Sequence, residues 1–83
     1  MLAQQYLQIK HYIKSLCLDN VIELCINTGL TDQEIELVKH INRGDTRIYT
    51  GLQMGMCESA VSKKSHKAFT KIRDYLKKNN IKY

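Results

Sequence analysis

The apolar positions of the first sixteen residues recur at helical spacing. Leu2, Tyr6, Ile9, Ile13 and Leu16 step by four, three, four and three residues, which lines them along one stripe of a helix. A second helix is predicted from Asp19 or Asn20 to about Thr28, with Val21, Leu24 and Cys25 inward and Gly29 as its stop. The pattern alone leaves open whether these are two helices or one bent helix.

The next start is sharper. In Leu30-Thr31-Asp32-Gln33-Glu34-Ile35, Thr31 is placed as N-cap and Glu34 closes a capping box, with Leu30 and Ile35 spaced as a hydrophobic staple. A third helix is therefore expected from Asp32, with Ile35, Val38 and Ile41 inward and Gly44 ending it. Asp45 or Thr46 can cap a short fourth helix that runs to about Met54. Gly55 breaks it, and Cys57 or Glu58 opens a fifth that reaches Lys78. No proline, alternating strand pattern or internal repeat is present. The expected fold is all-α: a single domain of four to five helices, with residues 1–29 as a helical extension used for packing or dimerisation and 30–78 as a helix-turn-helix unit.

Two glycines in GLQMGMCESAVSKK sharpen that last expectation. A glycine inside a helix costs roughly 1 kcal/mol relative to alanine, so each needs a reason. Gly55 suits a turn between two helices that cross closely. Gly51, one turn earlier, lies on the face that meets the following helix, where a missing side chain lets the backbones approach.

Charge is asymmetric. Residues 1–41 carry three lysines against five carboxylates, net −2, whereas residues 42–83 carry ten cations against three carboxylates, net +7. This split accounts for the overall +5 and points to a polyanion at the carboxyl half; a solvated lysine-rich helix is the competing reading. On the fifth helix a step of about 100° per residue separates Val61, Ala68, Ile72 and Leu76 from Ser59, Ser62, Lys63, His66, Lys67 and Thr70. Short polar residues near the amino end of a helix let its backbone enter a major groove, and neighbouring cations reach phosphates.

The run from Leu30 to Leu76 resembles the helix-turn-helix DNA-binding domain of the LuxR/GerE family and, almost equally, the fourth region of bacterial sigma factors. Leu30-Thr31 followed by Glu34 is similar to the family's helix start. Gly44, Thr46 and Met54-Gly55-Met56-Cys57-Glu58-Ser59-Ala60-Val61 fall in step with its glycine, capping serine and leucine-glycine-isoleucine-serine pattern. Cys57, Thr50 and Ser65 depart from it: a thiol stands where a hydroxyl usually caps, and two small polar residues stand where aliphatics are common. The resemblance implies a recognition helix from about Glu58. Ser59, Ser62, Lys63 and His66 are then expected at base edges, and Thr46, Arg47, Lys64, Lys67 and Lys71 at phosphates. For His66 a plain surface role is the rival account, and the tyrosines and Met54 and Met56 read as core-edge residues and filler.

The function expected is sequence-specific recognition of double-stranded DNA by a small cytoplasmic transcription regulator of a bacterium, phage or mobile element. Alternatives are a protein-binding adaptor, for example of RNA polymerase, and the small DNA-recognition subunit of a phage packaging machine. A homodimer is expected, through the Leu2 to Leu16 stripe or, second, the Tyr75 and Leu76 end; equally, the stripe can fold back onto helices three to five, because a domain this small needs core. No cofactor or metal is called for: three cysteines without a CxxC pair suggest neither a disulfide framework nor a zinc site. No phosphate loop, HExxH pair or GxSxG elbow is present, which argues against an enzyme. No apolar run approaches the roughly 20 residues of a membrane span.

Overall fold

A computed structural model describes residues 2–83 as five helices: α1 (Ala3–Ser15), α2 (Leu18–Thr28), α3 (Asp32–Arg43), α4 (Arg47–Met54) and α5 (Glu58–Lys78). Helices make up 79% of the described residues and strands none, so the all-α bundle read from the sequence is the architecture found. The capping box forms as spaced: the Glu34 backbone N–H donates to Thr31 Oγ1 at 3.2 Å and the Thr31 N–H donates to Glu34 Oε1 at 3.0 Å. Thr46 caps α4 by accepting from the Tyr49 N–H at 3.1 Å.

The first two helices are separate. Leu16 and Cys17 are extended between them, and α2 begins at Leu18, slightly ahead of the expected start. A residue of α3 supports this break: Asn42 Nδ2 donates to the carbonyls of Ile13 and Leu16, both at 2.9 Å, adding to the Leu16 N–H that Ile13 already accepts at the end of α1.

Helix α3 is central, packing on α1, α2 and α5. Its buried arc is accordingly broader than the predicted stripe. Leu37 and Val38 are fully buried, Glu34 and His40 nearly so, while Ile35 and Ile41 are only half-buried at the core's edge. Residues from α1, α2, α3 and α5 form one cluster around Phe69, including Ile9, Ile13, Val21, Leu24, Val38, Ile72 and Leu76.

Of the two readings of the amino-terminal stripe, this cluster shows the one in which it folds onto its own core. Ile9 and Ile13 are completely buried within their own chain, and Tyr6 and Leu16 pack against the same cluster. At the end of α5, Leu76 is fully buried and Tyr75 half-buried. A domain this small needs both stripes to build a core.

Helix α4 sends nothing into the cluster. It lies against α5 through Thr50 and Gly51, and the turn Gly55–Cys57 joins the two. Gly55 ends α4 at φ +68, a left-handed conformation that glycine adopts without strain. Gly51 serves a different need: a Cβ there would collide with the Met56 carbonyl oxygen, and the Met56 N–H donates to the Gly51 carbonyl at 2.8 Å. No helix is long and apolar enough to cross a membrane among the described residues.

Candidate nucleic-acid interface

The amino-terminal half of α5 owes its outward face to what its inward face holds. Val61, Ser65, Ala68, Phe69 and Ile72 are all buried, which turns Ser59, Lys63 and Lys67 to solvent on the opposite side. Ser65 tolerates burial because its hydroxyl donates to the Val61 carbonyl at 2.8 Å; Thr50 across from it does the same to Thr46 at 2.8 Å. These two small residues leave a cleft of about 190 Å³ between α1, α3, α4 and α5.

Four predicted residues come together. Arg47 at the first position of α4 borders one open groove with Ser59, Ser62 and Lys63 of α5, along with Cys57 and Glu58. Arg47, Lys63 and Lys67 make no hydrogen bond or ion pair with any described residue, so their charges are available to a ligand. Thr46 borders the neighbouring cleft with Arg47, but its hydroxyl oxygen is already occupied as the helix cap.

The remaining three divide. His66 is exposed yet stacked on Tyr6 of α1, with ring centroids 4.6 Å apart, so it stands at the α1 edge of the face rather than free at its centre. Lys71 is engaged elsewhere: its Nζ lies 2.9 Å from Glu34 Oε1 on α3. That pairing shares the Lys71 ammonium, expected at a phosphate, with a carboxylate of its own chain. Lys64, two turns before Lys71, lies on the same α3-facing flank and is half-buried.

Two α1 residues belong to this surface that the sequence did not indicate. Tyr6 and Lys10 border the cleft that holds Thr46 and Arg47. Their spacing of four puts them on adjacent turns, but nothing in the spacing tells which helix they meet.

Local electrostatics follow from these contacts. Burial pushes the Glu34 carboxyl up, but bonds from Thr31 and Lys71 and the nearby ammonium outweigh it and hold the group below the usual carboxylate range. Its second oxygen, Oε2, is buried without a hydrogen-bond partner. Cys57 heads α5 without making a side-chain cap. Its Sγ lies 3.3 Å from Ser59 Oγ, and that contact with the Ala60 backbone N–H lowers the thiol below its ordinary range. At the α3–α4 joint, Asp45 Oδ2 is 2.8 Å from His40 Nδ1 and 3.3 Å from Arg43 Nε; the His40 contact, then Arg43, keeps the Asp45 carboxyl low.

The surface thus offers hydroxyls and unengaged cations around the start of a long helix, flanked by an aromatic pair. Such a set can bind a phosphate backbone and donate to base edges. No cluster of three or more potential metal ligands occurs among the described residues. No family model matches the chain, and neither the curated proteins nor the solved structures contain a match to it.

Proposed function

We propose that the protein binds double-stranded DNA in a sequence-specific manner, with the amino-terminal half of α5 in the major groove, and acts as a small transcription regulator. The observation that carries this reading is the coincidence of the +7 half with one groove where Arg47, Ser59, Ser62 and Lys63 converge. Ser59, Ser62 and Lys63 face base edges, and His66 reaches them from the edge stacked on Tyr6. Arg47, Lys67 and Lys10 contact phosphates, with Lys64 at the periphery. Most of the affinity then comes from neutralised phosphates and falls steeply with salt.

Fluorescence anisotropy with mixed-sequence duplex DNA at several salt concentrations tests this. Wild type binds at low salt, and the Lys63→Ala, Lys67→Ala double variant binds more weakly and loses about one unit of the salt slope, for the Lys67 phosphate contact. If neither protein binds at low salt, the reading is wrong and these lysines are solvated surface. If wild type binds, site selection from random duplexes separates specific from non-specific recognition.

A further inference from the structure

The cleft of about 190 Å³ left by Thr50 and Ser65 has two chemically different parts. Its innermost lining is apolar: Leu37 of α3 and Val61 of α5 are almost completely buried, and Tyr6 and Ile41 beside them are half-buried. The hydroxyls of Thr50 and Ser65 border the same space, but both donate their hydrogens to backbone carbonyls of their own helices. Among the buried residues of the cleft no side-chain donor is therefore free, and an apolar group suits that space best.

The rim is cationic. Lys10 of α1 and Arg47 of α4 both border the cleft, and neither makes a hydrogen bond or ion pair with any described residue. One carboxylate, Asp45, borders it as well. Its Oδ2 lies 2.8 Å from His40 Nδ1 and 3.3 Å from Arg43 Nε, so its charge is already shared within the α3–α4 joint. Two unengaged cations thus stand against one engaged anion, and the positive end of the α4 dipole adds to them.

We propose that this cleft binds a small organic carboxylate, with its apolar body against Leu37 and Val61 and its carboxylate between Lys10 and Arg47. Size limits the ligand. A cavity of about 150 Å³ holds one benzene ring, so this one admits a single ring or a short branched chain and excludes a nucleotide. Phosphate has the charge without the apolar body and would leave the inner cleft unfilled. Lys10 and Arg47 are also the cations proposed for DNA phosphates, so an occupied cleft competes with DNA. That consequence rests on the DNA reading, whereas carboxylate binding does not.

The test therefore needs no DNA. The isotope-labelled protein is titrated with sodium benzoate at constant ionic strength near pH 7, where the probe is ionised, and amide signals are followed by NMR. Benzoate is expected to shift Lys10, Leu37, Arg47 and Val61 saturably, with a Kd of about 1 mM, a strength that its roughly nine non-hydrogen atoms allow. Benzyl alcohol keeps the ring without the charge, and inorganic phosphate keeps the charge without the ring; each binds at least about fivefold more weakly. Lys10→Ala weakens benzoate by about the same factor. Thr50→Ile fills the cleft from α4 and Ser65→Val from α5, and each abolishes the saturable shifts while its own amide spectrum stays that of a folded protein.

An unchanged spectrum at about 20 mM benzoate overturns the proposal. Saturable shifts that survive both filling variants place the ligand elsewhere and overturn it too. Benzyl alcohol or phosphate binding as tightly as benzoate does the same, because the cations or the apolar lining would then contribute nothing.

Discussion

Gly51 and Gly55 are four residues apart and are required for different physical reasons, which substitution separates. At Gly55 nothing lies within 4 Å of an added Cβ, so Gly55→Ala costs only the left-handed backbone, about 1 kcal/mol. At Gly51 the added carbon meets the Met56 backbone, which cannot step aside as a flexible side chain would. Gly51→Ala is expected to cost about 2 kcal/mol despite alanine's better helix propensity, and to loosen α4 from α5. Urea denaturation of the two variants gives the comparison. Cysteines divide as sharply. Burial raises the Cys25 thiol to about 11, whereas Cys57 is exposed and lowered. Iodoacetamide near pH 7.5 should modify Cys57 in the folded protein and leave Cys25 untouched until denaturant is added, as mass spectrometry of the peptides will show.

At the scale of elements, the pair Lys71–Glu34 ties α5 to the first turn of α3. The folded Glu34 carboxyl titrates below its unfolded value, so its contribution is complete above the ordinary carboxylate range. The contribution is lost as pH falls through the lowered folded value. Lys71→Met is therefore expected to cost about 1–2 kcal/mol near pH 7, discounted because Lys71 is more than a third exposed. The gap to wild type should close as the solution is acidified through the lowered folded range of Glu34. Melting curves at a series of pH values measure it; a gap that widens in acid would contradict the assignment. The cleft under α4 gives a second element-scale outcome. Thr50→Ile fills space left by a small buried residue and is expected to raise the melting temperature, since the hydroxyl it removes bonds only within its own helix.

For the whole molecule, the amino-terminal helices are part of the core rather than an appendage. Ile9 and Ile13 pack in the cluster with Phe69 and Ile72, and Tyr6 stacks on Phe69 with centroids 4.7 Å apart. Removal of residues 1–16 should therefore leave residues 30–78 largely unfolded by circular dichroism, instead of releasing a separately folded unit. Retention of a cooperative melt by that fragment would show that the extension is dispensable.

Local chemistry decided much of this before any long-range contact was considered. The capping box at Thr31 and Glu34, the Thr46 cap, and the glycines ending α2, α3 and α4 act within one or two turns, and so were legible along the chain. The outward polarity of Ser59, Lys63 and Lys67 followed from the same periodicity. Which faces meet is a different matter, because spacing gives a stripe but no partner. Only the tertiary structure turned the Tyr6 to Leu16 part of the stripe inward, engaged Lys71 with Glu34, set Asn42 on the end of α1 and brought Tyr6 and Lys10 beside Arg47. The same packing left Ile48 and Leu52 bare, since α4 leans on α5 through Thr50 and Gly51 and these two side chains lie on its far side.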